Sequence, residues 1–143
     1  MEFSLYIGGE PVAQGGSEFT TVNGHPRAID PHKSREMKQI ISLMARERMA
    51  GRACMDGPLV MYLKVWRVPP KSWSRKRQEE AIDRNLGITS RPYCDDYLRL
   101  VQDALNGIVY RDDASIVAAC VSKRWGRFSG MSVRVVSDGR GEV

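Results

Sequence analysis

Two pairs of adjacent aspartates are the residues of this chain best suited to chemistry. Asp95 and Asp96 stand at the start of a stretch with helical periodicity, and Asp112 and Asp113 sit in a turn after the short β-like segment Ile108-Val109-Tyr110. Taken singly, each pair has an ordinary structural explanation. First-turn carboxylates are favoured by the helix dipole, Asp95 is four residues from Arg99 and within reach of an exposed ion pair, and turns accept aspartate because its side chain bonds nearby backbone. Together in one basic chain the two pairs suggest a metal site. Mg²⁺ takes oxygen ligands, commonly one or two carboxylates with water and phosphate. Phosphodiester hydrolysis uses such an ion to activate water and to neutralise charge on the phosphorus oxygens.

The chain carries a formal net charge of +5, which draws it toward polyanions: nucleic acid, anionic lipid or acidic protein. Much of the excess lies in residues 67–91, where Arg67, Lys71, Arg75, Lys76, Arg77, Arg84 and Arg91 meet only Glu79, Glu80 and Asp83 as acids. The plain reading is a solvated basic surface. The sharper one is that Lys71, Arg75, Lys76 and Arg77, grouped around Trp73, contact DNA phosphates together with Arg91.

These residues need a scaffold, and the hydrophobic pattern outlines one. Phe3, Leu5 and Ile7 alternate with polar neighbours as a half-buried strand does. Residues 8–32 read as an irregular loop or a loose hairpin turning at Asn23-Gly24. Ser34 to about Met49 is helical, with Met37, Ile40, Ile41 and Met44 as its apolar face and Gly51 closing it. Leu59 to Trp66 is almost continuously apolar and predicts a strand covered on both faces. Ser74 predicts the cap of a short helix through about Glu80. A further helix spans about Asp95 to Asn106 and ends at Gly107, with Tyr97, Leu98, Val101, Ala104, Leu105 and Ile108 facing the core and Asp95, Asp96, Arg99 and Asp103 facing away. Ile116 to Val121 and Met131 to Val135 predict two more strands, paired with each other across residues 126–130. The expected fold is α/β (α+β): one domain over residues 1–143, a small mixed sheet of about four strands flanked by two or three helices, with a frayed tail after Ser137.

Other classes find little support. The start Met1-Glu2-Phe3-Ser4 lacks the basic leader and apolar core of a signal peptide, and no apolar run nears a bilayer's width, so a cytoplasmic protein without a membrane partner is expected. Cys54, Cys94 and Cys120 are scattered without a CxxC pair and read as reduced, apolar packing groups. His25 and His32 have no assigned role. No Gly-rich phosphate loop, nucleophile elbow or cofactor motif supports a small-molecule enzyme, and no organic cofactor is expected. A basic α/β domain that binds a small molecule or a protein stays open as an alternative.

Three pieces in order, with matching spacing, resemble the RusA family of Holliday-junction resolvases. They are Arg91-Pro92-Tyr93-Cys94-Asp95-Asp96-Tyr97-Leu98-Arg99, then Asp103-Ala104-Leu105-Asn106-Gly107, then Tyr110-Arg111-Asp112-Asp113-Ala114-Ser115-Ile116-Val117. In that family's pattern, Lys-Pro-Asp-x-Asp-Asn-x-x-Lys precedes Asp-Ala-Leu-Asn-Gly and then Asp-Asp before an apolar strand. The basic segment Pro69-Pro70-Lys71-Ser72-Trp73-Ser74-Arg75-Lys76-Arg77 is similar to that of phage-type members, and Val121-Ser122-Lys123-Arg124-Trp125-Gly126 to their following strand. The likeness covers residues 58–136 well and the N-terminal third more loosely.

The resemblance implies an endonuclease that resolves four-way DNA junctions in recombination and repair by paired nicks. It implies Mg²⁺ as the working ion, with Mn²⁺ as a substitute, and an intertwined homodimer, since two equivalent strands call for two equivalent sites. Asp95 matches the second aspartate of the family's Asp-x-Asp and Asp113 the catalytic one of the later pair. Both are expected to approach the metal, with Asp96 as a third candidate ligand and Arg99 as a catalytic group. The sequence departs from the pattern at Tyr93 and Arg99, which stand where the family has aspartate and lysine, and at Asp96, where it has asparagine. A phenol is a poor Mg²⁺ ligand, and a guanidinium clamps phosphate but donates no proton at ordinary pH. A junction-binding protein with weak or absent cleavage is therefore the alternative within the family.

Overall fold

The computed structural model of the chain describes residues 1–16 and 18–140; the end of the expected tail, residues 141–143, lies outside them. In chain order the elements are β1 (Glu2–Gly8), β2 (Glu18–Val22), β3 (His25–Ile29), α1 (His32–Met49), β4 (Leu59–Arg67), α2 (Arg75–Asp83), α3 (Cys94–Leu105), a 3-10 turn (Asp113–Ser115), β5 (Ile116–Trp125) and β6 (Gly130–Ser137). Four strands form one mixed sheet in the order β1-β6-β4-β5, and β2 and β3 form a separate hairpin. The architecture is the expected α+β one.

Period-2 alternation builds the sheet. Phe3, Leu5 and Ile7 of β1, Leu59, Met61, Leu63 and Val65 of β4, and Met131, Val133 and Val135 of β6 are all buried. They share one core with Ile41, Ala45 and Met49 of α1 and Tyr97, Leu100, Val101, Ala104 and Leu105 of α3. The hairpin turns where expected, with Asn23 and Gly24 both at positive φ (52° and 77°), the backbone a two-residue primed turn requires. Gly51 and Gly107, also at positive φ, follow the ends of α1 and α3.

Three expectations need correction. First, β4 is packed on one face only: Tyr62 and Lys64 are exposed. Its near-continuous apolar run is alternation in which Val60 and Trp66 are half-buried on the far side.

Second, β5 and β6 do not pair with each other. β4 lies between them, parallel to β5 and antiparallel to β6. The short connection crosses the end of β4, where the Gly126 N–H donates to Arg67 O at 2.9 Å. A Cβ on Gly126 would lie 3.2 Å from the Trp66 ring, so glycine is the residue that permits this close passage. A strand with four buried apolar residues gains most from two neighbours, and β4 takes the inner position.

Third, the apolar face of α1 is shifted at Ile40: Ile41 is buried and Met37 and Met44 pack on the core as expected, but Ser34, Ala45 and Met49 complete the buried stripe and Ile40 is 42% exposed. Ala45 is small enough for close approach to α3, and Ser42 Oγ donates to Ala104 O at 2.7 Å where the two helices meet. On α3, Leu100 joins the buried face that the sequence assigns without it.

Candidate metal and nucleic-acid site

The helix α3 organises the acidic residues. Tyr97, Leu100, Val101, Ala104 and Leu105 of its apolar face are buried, so the residues between face outward: Asp95, Arg99 and Asp103 are exposed and Asp96 is partly so. Tyr93 is the N-cap and makes no side-chain capping bond. It is 55% exposed, with the Arg91 guanidinium 5.6 Å from its ring centroid. The chain before the helix is strapped to the sheet by Lys123 of β5, whose ammonium donates to Ser90 O (2.6 Å) and Pro92 O (2.7 Å). Gln14 N donates to Asp96 O at 2.9 Å, laying the segment before β2 against the first turn of α3. Asp95 and Arg99 form no ion pair among the described residues, although their spacing permits one.

The second acidic group lies at the other end of the helix. Asn106, the C-cap of α3, accepts the Asp113 N–H on its Oδ1 at 3.1 Å. Asp112 caps the 3-10 turn by accepting from Ala114 N at 2.9 Å. Partial burial first, and then the neighbouring carboxyls of Asp112 and Asp103, push the Asp113 carboxyl above the ordinary carboxylate range. Lys38 of α1 stands beside this group, 3.3 Å from Asp103 and 2.6 Å from Asp30. Its hydrogen bond is the main cause holding the Asp30 carboxyl below its usual value. Tyr110, buried under the turn, donates its hydroxyl to Gln102 O at 2.8 Å, and burial pushes its phenol far up.

Asp95 and Asp113 are therefore not brought together within one chain. From Asp95 to Asn106, against which Asp113 sits, α3 rises about 16 Å at its usual pitch. Asp113 instead keeps company with Asp103 and Asp112. Among the described residues no three His, Cys, Asp or Glu side chains converge closely enough to hold a metal ion. The expected ligands Asp95, Asp96 and Asp113 do not form such a group within one chain.

The basic residues are arrayed along α2 and its flanks. Ser74 caps α2 as expected, accepting from Arg77 N at 3.2 Å. Lys71, Arg75, Lys76, Arg77 and Arg91 are all exposed. Arg75 has a loose partner in Glu79 at 3.8 Å, and Arg77 lies over the Trp73 ring, 3.6 Å from its centroid. The α2 region rests on a small satellite core of Ala81, Ile88 and Trp125, with Trp73 packed on it.

Asn106, Lys123 and Lys38 act as positioning groups that the sequence did not single out. Only Asn106 carries a signal, in the Asp-Ala-Leu-Asn-Gly segment. Lys123 reaches back 31 residues to Pro92 and Lys38 joins Asp30 to Asp103, 65 residues further on than itself.

No helix among the described residues is long and apolar enough to cross a membrane. A relative, the uncharacterized protein YqaN of Bacillus subtilis (strain 168), is 39% identical over 125 residues, covering 86% of each chain. Residues 8–136 match the family model described as endodeoxyribonuclease RusA, a span that takes in β2 through β5 whole, the acids at both ends of α3 and the basic segment of α2. The chain belongs to the RusA endodeoxyribonuclease family.

Proposed function

We propose that this protein is a structure-specific endodeoxyribonuclease that nicks four-way DNA junctions with Mg²⁺, as a homodimer in which two copies complete each metal site. The observation that carries the reading is the placement of Asp95 in the first turn of α3 and of Asp113 just past its C-terminal end. Two α3 helices running antiparallel about a two-fold axis would bring the first turn of each beside the last turn of the other. Asp95, with Asp96, from one copy and Asp113 from its partner would then serve one ion, and symmetry would supply the second site that paired nicking needs. When bound, the ion would supply the electrostatic neutralisation and water activation that phosphodiester hydrolysis requires.

An apolar stretch next to Asp113 supports a partner copy. Val117 is 57% exposed, and Ala118, Ala119 and Cys120 beside it are exposed as well. Among the described residues, the far edge of β5 is hydrogen-bonded toward its end alone, where Ile88 N donates to Lys123 O and Trp125 N to Leu86 O. An uncharged strand edge left open in this way is a template for pairing with another chain. The basic residues Lys71, Arg75, Lys76, Arg77 and Arg91 supply phosphate contacts that hold the junction, and Arg99 supplies a cation near the scissile phosphate.

A second reading has its own observation: Tyr93, at the start of α3, offers a phenol where the family pattern has a metal-binding carboxylate. On that reading the chain binds branched DNA and cleaves it poorly. A synthetic four-way junction incubated with the protein and Mg²⁺ or Mn²⁺ separates the two. Paired symmetric nicks support the first, and tight binding without nicks leaves only the second.

A further inference from the structure

We propose that the cleft between α2 and the segment 86–90 takes up one unstacked nucleotide of the DNA, its base against the Trp73 indole and its phosphate on Arg77. The proposal rests on the DNA-acting reading above and specifies how the substrate is held. The cleft has a volume of about 430 Å³, and its walls include Trp73, Arg77, Ala81, Thr89, Ser90 and Trp125. A nucleobase needs apolar flat surface for its faces and polar groups for its edge. Here the two indoles meet edge to face, with centroids 5.1 Å apart and planes at 69°; Trp125 is buried in the satellite core and backs the corner, and the partly exposed Trp73 is the indole that offers a base its ring. The hydroxyls of Thr89 and Ser90 give the same cleft a polar rim.

Arg77 adds the phosphate site. Its guanidinium lies on the Trp73 ring and has no carboxylate partner among the described residues, because the nearby Glu80 is engaged by Arg84 at 3.1 Å. A guanidinium stacked through its face keeps its N–H fork in the plane, free for a bidentate grip on phosphate. The indole fixes the side chain in advance and reduces the entropy lost on binding.

The location ties the cleft to the acids. Ser90 and Pro92 are pinned by Lys123, and Thr89 and Ser90 precede Asp95 by only six and five residues. A base drawn out of the stack and held here would fix the register of its strand next to the first turn of α3. A branch point is where such a base is cheapest to extract, since stacking and pairing are already disturbed there.

Fluorescence anisotropy on the full chain without metal tests this with two single-stranded probes of equal charge: an octamer of thymidylate, and an octamer of abasic sugar-phosphate. The thymidylate octamer is expected to bind about tenfold more tightly than the abasic one, as stacking of one base provides, and to quench tryptophan fluorescence. Trp73→Leu should erase that difference without changing the salt slope, and Trp73→Phe should restore most of it. Equal affinity of the native protein for both octamers overturns the proposal whatever the variants do. If the junction is still bound and nicked in that case, only the cleft assignment falls; absence of affinity for any DNA removes the nuclease reading with it.

Discussion

The backbone N–H of Asp113 donates to Asn106 Oδ1 at 3.1 Å, which fixes Asp113 just past the C-terminal end of α3, a full helix length from Asp95. The bond joins two of the family's sequence pieces, Asp-Ala-Leu-Asn-Gly and Asp-Asp, into one corner. It leaves the two acidic groups at opposite ends of α3, the arrangement on which the proposed two-copy metal site rests.

Tyr93 and Arg99 give a direct way to ask whether this chain's departures from the family pattern limit its rate. Tyr93 is exposed at the N-cap, so replacing it disturbs no core packing, and aspartate is a better N-cap by about 1 kcal/mol. The double change Tyr93→Asp with Arg99→Lys should raise the single-turnover rate of junction nicking by about tenfold or more, the effect of one added metal carboxylate on charge stabilisation. Thermal stability should stay level or rise. An unchanged rate would show that Asp96 already serves in place of the missing ligand.

The raised affinity of Asp113 for a proton has a consequence for stability. Burial and the Asp112 and Asp103 carboxyls raise its value in the folded chain, so between the ordinary carboxylate value and the raised one the folded state binds more protons than the unfolded state. Stability therefore falls as pH rises through that window, and the ionised carboxylate destabilises the metal-free fold at neutral pH. Asp113→Asn should raise the melting temperature of the metal-free protein at pH 7, with the gain shrinking as the pH falls toward about 4, the ordinary carboxylate value, and gone below it. A lower melting temperature at pH 7 would mean that the carboxylate makes a favourable interaction that outweighs its neighbours.

Lys76 and Arg77 are both exposed cations without an acidic partner among the described residues. Changing both to glutamine should reduce the slope of log affinity against log salt for junction DNA by about 2, one for each phosphate left without its cation. An unchanged slope would place the phosphate track elsewhere on the surface.

Gly130, the first residue of β6, pairs with Trp66 and Gly8 and passes under Tyr6. A Cβ there would lie 2.5 Å from the Tyr6 hydroxyl oxygen and 3.0 Å from Ile7 O. Gly130→Ala should cost about 1–3 kcal/mol, the usual range for overpacking, read as a lower midpoint in urea at unchanged slope. Tyr6→Phe in the same chain should recover part of the loss, because it removes the closest of the clashing atoms.

Local chemistry made much of the fold legible in the sequence. Alternation at Phe3, Leu5 and Ile7, the Asn23-Gly24 turn, the Ser74 cap and the glycines after α1 and α3 all depend on neighbours within a few residues, and each predicts what forms. Strand order is different. Placing β4 between β5 and β6 depends on which strand gains most from two partners and on a glycine that lets the connection pass Trp66, and neither shows in periodicity. The same holds at the site. Asp95 and Asp113 stand out by type and spacing, but whether they converge depends on helix length and on Asn106. The Lys123 strap and the Lys38 bridge join positions that only the folded chain brings together.

Whether two copies complete one metal site is the central question, and mixing two inactive variants tests it. Asp95→Asn and Asp113→Asn should each abolish junction nicking in Mg²⁺ while leaving binding intact. When equal amounts are unfolded and refolded together, a heterodimer contains one site in which both aspartates are native, so about a quarter of all sites, and the corresponding single-strand nicking activity, should return. If the mixture stays as inactive as its components although heterodimers have formed, both carboxylates act within one chain, and the two-copy site is contradicted.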